Sequence, residues 1–228
     1  MSSEPRCYAV VPCAGIGLRA GAGGPKQYAP LLGEAVVAHT LRALAAVKRI
    51  RRTLVVLSPD DKAFEGHVEG FAGWVVRSGG STRADSVAAG LRALRLHGAS
   101  DGDWVLVHDA ARCLVRPELV DRLIDACLPD EVGGLLALPL ADTLKQASGQ
   151  RVAETLDRSD KWLAQTPQMF RLGTLQLALA AAAGQVTDEA SAIEALGHAP
   201  LLVPGEIENL KLTWPSDFAL ARRLLETR

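Results

Sequence analysis

The chain has 228 residues, 48 % of them apolar and 22 % charged, and a formal net charge of −1. That length can bury a sizeable core, and the balance is an ordinary globular one. Near-neutral charge gives no basic field for nucleic acid or an anionic membrane, so any cationic chemistry has to be local.

Short apolar, β-branched runs alternate with longer helical patterns. Residues 8–11 predict a first strand, 35–47 a helix, and 53–57 a second strand. A third strand follows over 74–76, a helix over 86–96, a fourth strand over 104–107, and a helix over 117–127 with Pro117 in its first turn. Residues 135–138 give a fifth strand. Such alternation implies crossover βαβ units, hence a Rossmann-like three-layer α/β/α fold with a mostly parallel twisted sheet. The first and fourth strands are apolar throughout, as strands covered on both faces are.

Past Ala141 the pattern changes. Residues 142–146 and 152–156 flank Ala147-Ser148-Gly149-Gln150-Arg151, a turn-forming group, and predict a hairpin. It is too polar for a buried central pair. Residues 140–159 are therefore expected to form a projecting β-arm that packs on a second subunit, within one domain spanning 1–228. Helices are predicted over 172–183, 188–196 and 216–226, with a strand over 208–213. The Ala-rich run over 175–183 is far short of the roughly 20 residues that cross a membrane. Residues 1–6 lack the charged-then-apolar pattern of a secretory leader. Cys7, Cys13, Cys113 and Cys127 show no C-x-x-C pair or metal-ligand spacing, so a reduced cytoplasmic setting is expected.

Three segments carry candidate chemistry. The first runs Val10-Val11-Pro12-Cys13-Ala14-Gly15-Ile16-Gly17-Leu18-Arg19, then Pro25-Lys26-Gln27-Tyr28. A strand leads into a Gly-rich turn, where backbone N–H groups can approach an anion and two cations can neutralise it. The spacing matches neither common phosphate loop: Ala20 stands where G-x-G-x-x-G needs a third Gly, and Lys26 lacks its Walker context. Nucleotide transfer, dinucleotide binding and a plain strand–turn all remain open here. The second segment is Ser78-Gly79-Gly80-Ser81-Thr82-Arg83-Ala84-Asp85-Ser86. Adjacent glycines leave room for a flat base, and Arg83 can reach phosphate, while Asp85 or Ser86 can equally cap a helix. The third, His108-Asp109-Ala110-Ala111-Arg112, follows the fourth strand, where ligands of open α/β sheets collect. Asp109 there suits a ribose hydroxyl, a phosphate-bound Mg²⁺ or a helix cap. His108 reads as a hydrogen-bonded structural residue. Weaker clusters are Asp142-Thr143, Asp157-Arg158, Gln165-Thr166-Pro167-Gln168 and Asn209-Leu210-Lys211-Leu212-Thr213. In the last, Lys211 can simply occupy the solvent face of a strand. Thr187 reads as the cap of the helix that begins with Asp188 and Glu189.

Taken in order, P-x-A-G-x-G-x-R…P-K-Q-Y, G-G-x-x-R-x-D-S-V, H-D-A-A-R, D-T-x-K, D-R, Q-T-P-Q, T-D-E-A-S-A and N-x-K-x-T resemble the 2-C-methyl-D-erythritol 4-phosphate cytidylyltransferases. Cys13, Ala20, Ser81 and Cys113 depart from the common pattern, and none of them removes a cation or the strand-end Asp109. The resemblance implies that Ala14, Gly15 and Gly17 present backbone to the phosphates of CTP. It implies that Arg19 and Lys26 stabilise charge on the α-phosphate and departing pyrophosphate. Gly79, Gly80, Ser81 and Ser86 would hold cytosine and ribose, with Arg83 supporting their loop. Asp109 and Arg112 would contact the methylerythritol phosphate, Lys211 would orient it and Thr166 would close its pocket. A swapped arm would carry Thr143 and Arg158 into the other subunit's site of a homodimer.

The same resemblance implies transfer of CMP from CTP, with Mg²⁺ held mainly by the CTP phosphates and no dedicated metal ligands. A phosphomonoester, with a second pKa near about 6, is already mostly dianionic at neutral pH, so no general base is required. The rivals are a cytidylyltransferase for another polyol phosphate such as ribitol 5-phosphate, a non-catalytic CTP-sensing module and a nicotinamide dehydrogenase.

Overall fold

A computed structural model of the chain describes residues 5–15, 24–182 and 186–228. Its strands are β1 (Cys7–Pro12), β2 (Pro30–Leu31), β3 (Glu34–Ala35), β4 (Ile50–Val56), β5 (Trp74–Val76), β6 (Trp104–Val107), β7 (Gly133–Pro139), β8 (Leu144–Ser148), β9 (Arg151–Leu156), β10 (Trp162–Arg171) and β11 (Leu201–Pro204). Its α-helices are α1 (Val36–Ala46), α2 (Phe64–His67), α3 (Arg83–Leu96), α4 (Pro117–Cys127), α5 (Leu172–Ala181), α6 (Glu189–Ala195) and α7 (Pro215–Glu226). No described helix is long and apolar enough to cross a membrane.

Successive side chains of a strand leave on opposite faces, and on β1 both faces are apolar. Ala9 and Val11 enter one core with Leu41 and Leu44 of α1 and Leu119 and Leu123 of α4. Tyr8 and Val10 enter the other with Val87 and Leu91 of α3, Leu175 of α5 and Ile193 of α6. Helices thus cover both faces of one sheet. Each fully buried Val or Leu contributes about 1.5–3 kcal/mol relative to exposure, which is why the continuous apolar runs lie at its centre.

That sheet has seven strands in the order β11-β7-β10-β6-β1-β4-β5. β1 pairs in parallel with both β4 and β6, so the chain switches direction of winding at β1. Only β10 runs antiparallel, wedged between β6 and β7. The mostly parallel three-layer expectation holds.

Several local expectations need correction. The predicted strand over 208–213 is irregular, because its backbone bonds elsewhere: Leu212 N–H donates to Ala111 O at 2.9 Å, and Lys26 Nζ to Leu212 O at 2.8 Å. Four strands lie outside the expectation: the short pair β2 and β3, the edge strand β11, and the long β10, whose middle is the polar run Gln165-Thr166-Pro167-Gln168. Helix α3 begins earlier than expected, since Thr82 and not Asp85 or Ser86 is its N-cap, with Asp85 closing a capping box. Asp188, not Thr187, caps α6. The hairpin starts later and turns more tightly than expected: β8 and β9 meet at a two-residue turn where Gly149 takes φ 60°, a conformation costly for other residues. α5 ends at Ala181, and Ala183 lies outside the described residues.

Candidate active site

Beyond the carboxyl ends of β1 and β6 lies a cleft of about 490 Å³. It is lined by Ala14 and Gly15 after β1, Lys26 and Gln27, the loop of Gly80, Ser81 and Thr82, then Arg83, Ser86, Asp109 and Lys211. All but Lys211, which comes from the irregular segment before α7, arrive from a strand end or the first turn of a helix, at the switch point where open α/β sheets bind ligands. Gln27 staples the first loop, its amide donating to Cys13 O at 3.1 Å and Gly15 O at 2.9 Å. Gly79 lies beneath: a Cβ there would sit 2.4 Å from Ala14 Cβ and 2.7 Å from Leu57 O. Only glycine lets those two loops touch. Ser86 Oγ accepts from Gly80 N–H at 3.2 Å and donates to Thr82 O, fixing the second loop over the start of α3.

A smaller cavity of about 270 Å³ adjoins it, lined by Arg112, Gln165, Thr166, Thr187 and Asp188. Arg83, Asp109 and Lys211 line both spaces. Asp109 is the hub. Its Oδ1 accepts from Arg83 Nε at 2.8 Å, its Oδ2 lies 2.8 Å from Lys211 Nζ, and Arg112 Nε stands 3.8 Å away. Arg83 turns its other two nitrogens onto Glu189, at 2.6 and 3.0 Å. Burial by itself would raise the Asp109 carboxyl, but Arg83, Lys211 and Arg112 outweigh it and hold the group far below the usual range. Arg83, despite burial, is held charged by Glu189 and Asp109. For Arg112 burial wins and lowers the pKa, with Asp109 opposing. Its Nη1 donates to Asn209 O at 2.6 Å, whereas its buried Nε has no hydrogen-bond partner.

His108 is structural. It is fully buried, and burial pulls its pKa down to about 4. Nε2 lies 3.1 Å from Arg112 O, which can only accept, so Nε2 carries the proton and Nδ1 accepts from Thr166 Oγ1 at 3.1 Å. Thr166 Oγ1 in turn accepts from Asp109 N–H at 3.0 Å. The network fixes a neutral ring and positions Asp109.

The structure thus gathers Ala14, Gly15, Lys26, Gly80, Ser81, Arg83, Ser86, Asp109 and Lys211 at one cleft, and Arg112 and Thr166 beside it. Lys211, which the alternation around it allows on the solvent face of a strand, instead bonds Asp109. Gly17 and Arg19 lie outside the described residues. Thr143 and Arg158 are exposed on the arm and line neither cavity. Sequence reading places Thr187 and Glu189 only at a helix start and Gln165 and Gln168 only in a weak cluster, whereas the fold brings all four to the site. Their signal was polarity at positions that the fold buries or turns inward, and it is visible only once β10 and α6 are placed. Among the described residues no cluster of His, Cys, Asp and Glu could hold a metal ion, and Asp109 is taken by cations. The residues do not fit a protein-held metal.

The sequence model described as IspD, 2-C-methyl-D-erythritol 4-phosphate cytidylyltransferase, matches residues 7–227. A bifunctional enzyme IspD/IspF of Albidiferax ferrireducens is 61 % identical over 227 residues, 99 % of this chain; the chain spans 54 % of that relative's length. A 2-C-methyl-D-erythritol 4-phosphate cytidylyltransferase of Laribacter hongkongensis is 56 % identical, with 96 % of each chain covered. A crystal structure of a 4-diphosphocytidyl-2C-methyl-D-erythritol synthase superposes with a TM-score of 0.85 at 40 % identity, covering 98 % of this chain and 100 % of its own.

Proposed function

The chain belongs to the 2-C-methyl-D-erythritol 4-phosphate cytidylyltransferase family, and from that premise we infer that it transfers CMP from CTP to 2-C-methyl-D-erythritol 4-phosphate, releasing pyrophosphate. The product, 4-diphosphocytidyl-2-C-methyl-D-erythritol, belongs to isoprenoid precursor synthesis. One observation carries this reading: Lys26, Arg83 and Lys211, far apart in sequence, line a single cleft at the sheet's switch point.

In the transfer, a phosphate oxygen of the sugar-alcohol phosphate bonds to the α-phosphorus of CTP while the bond to the bridging oxygen of the β-phosphate breaks. Ala14, Gly15 and Gly17 present backbone to the triphosphate. Gly79, Gly80, Ser81 and Ser86 hold cytosine and ribose, with Arg83 bracing their loop. The smaller cavity takes the acceptor, with Arg112 and Asp109 contacting it, Thr166 at its wall and Lys211 between the two substrates. Two unit charges 4 Å apart interact by about 4 kcal/mol at a protein surface. Lys26, Lys211 and Arg19 therefore have repulsion between two anions to offset, and catalysis rests on charge and alignment rather than on a base. A divalent cation, Mg²⁺ or another, would be held mainly by the CTP phosphates and would neutralise part of their charge.

The arm supplies what the single chain does not. All of β8 and β9 except Leu144 and Leu156 is exposed, and an isolated hairpin is marginal in water. We assign it to a homodimer in which arms exchange and bring Thr143 and Arg158 to the opposite cleft. Its setting is the cytoplasm, in keeping with Cys7, Cys13, Cys113 and Cys127, all free and buried.

Coupled detection of pyrophosphate over a panel of nucleoside triphosphates and polyol phosphates tests this. Release is expected with CTP and 2-C-methyl-D-erythritol 4-phosphate. Preference for ribitol 5-phosphate, or CTP binding without turnover on either acceptor, would overturn the assignment.

A further inference from the structure

Glu189 has no place in the roles above, yet it is a carboxylate buried at the edge of the site. Its side chain is 1 % exposed at the first turn of α6, and burial pushes its carboxyl up from the ordinary value against the pull of Arg83. Both carboxylate oxygens take the fork of Arg83, Oε1 from Nη1 at 2.6 Å and Oε2 from Nη2 at 3.0 Å. Held on Glu189 in this way, the guanidinium meets Asp109 through Nε, which donates to Oδ1 at 2.8 Å. Oδ2 of Asp109 therefore stays with Lys211 Nζ at 2.8 Å.

The division of Asp109 is the consequence. A guanidinium prefers to grip a carboxylate with two parallel N–H bonds. Freed from Glu189, Arg83 would close on both oxygens of Asp109 and compete with the ammonium of Lys211 for Oδ2. Lys211 faces both cavities and is 41 % exposed at its side chain, so Asp109 is what orders it. We propose that Glu189 is a positioning residue: by anchoring the guanidinium of Arg83 it holds that group on Oδ1 of Asp109 and leaves Oδ2 to Lys211, and so sets that cation between the two substrates. This rests on the transferase reading for its use in catalysis, but not for the geometry.

The test reads Lys211 directly. Purified protein is acetylated with dilute N-hydroxysuccinimidyl acetate, and the rate at Lys211 is followed by mass spectrometry, with other lysines as internal controls. Glu189→Gln is expected to raise the Lys211 rate several-fold, and Glu189→Asp, which keeps the charge, to raise it less. In an Arg83→Met background no guanidinium can displace Lys211, so adding Glu189→Gln should leave the rate where Arg83→Met alone puts it. If the single Gln variant fails to fold, Glu189→Asp carries the test alone, because it keeps the charge beside Arg83 and its Lys211 rate should still rise; an unchanged rate there would overturn the proposal. In turnover assays Glu189→Gln should lower kcat by about tenfold or more, the scale of losing an aimed charge, with KM for CTP little changed. An unchanged Lys211 rate in Glu189→Gln would overturn the proposal, with or without a loss of turnover. So would a raised rate that persists in the Arg83→Met background. Labelling needs no turnover, so inactivity of the wild type toward the two substrates would count against the transferase reading and leave this result standing.

Discussion

At the end of β6, Asp109 is nearly buried and bonded on both oxygens, one to Arg83 and one to Lys211. On the arm, Arg158 and Thr143 stand in solvent and line no cavity of their own chain. Both regions carry polar groups assigned to the same acceptor, but they are built under different constraints. A charge in a low-dielectric cleft must be neutralised by the fold itself, or the fold fails. A charge on an exposed hairpin costs nothing to leave unpaired, so its purpose is decided by what docks against it. The cleft is therefore preorganised within one chain, whereas the arm packs its exposed strands on nothing among the described residues of its own chain.

The sharpest break of that contrast is Asp109→Asn. It leaves Arg83 and Lys211 facing a neutral amide, and removing one partner of a buried pair typically costs about 3–5 kcal/mol. Denaturant unfolding should show that loss, together with a fall in turnover. No comparable loss is expected from Asp157→Asn at the base of the arm.

His108 tests the cleft by pH. Its folded pKa of about 4 lies below the unfolded value, so between pH 6.5 and 4 the unfolded chain binds the proton first. Stability should fall by about 3 kcal/mol as pH drops through that window. His108→Gln should flatten the slope, while the exposed arm leaves it unaltered. A slope shared by wild type and variant would show that other groups control acid sensitivity.

Lys26→Ala, and equally Arg19→Ala, should lower kcat by roughly 10²-fold, about 2.7 kcal/mol, as loss of one electrostatic donor does. Near-normal turnover in either purified variant would remove that residue from the transfer. The smallest effect belongs to the arm. Arg158→Ala should raise KM for the sugar phosphate by about tenfold, or 1.4 kcal/mol, with KM for CTP unchanged. Unaltered sugar-phosphate kinetics would dissolve the comparison, because the arm would then have no part in the acceptor site.

Much of the cleft was legible in the chain because its parts are local. A Gly-rich turn after an apolar strand, two adjacent glycines before a helix, and an acid at a strand end are each written in a few consecutive residues. The parts that escaped are those whose meaning depends on a distant partner. Thr187 was read as a cap, but Asp188 fills that position and Thr187 faces the second cavity. The run Gln165-Thr166-Pro167-Gln168 hid the strand β10, since polar residues rarely mark a central strand. Here they are buried because Thr166 meets His108, and Gln168 meets Asp188 and Ala190 N–H. The alternation around Lys211 imitated a strand that the fold replaces with an irregular segment tied to Ala111 and Lys26.

By itself the sequence determined the layer architecture, the parallel crossover pattern and the set of cations and glycines, because periodicity and turn chemistry act over short spans. Tertiary structure alone decided which cation meets which carboxylate. Ion pairing in the cleft joins residues as far apart as Arg83 and Glu189, or Asp109 and Lys211. Such pairs form because a buried charge must find its opposite wherever the fold places it, and no local pattern in the chain records that requirement.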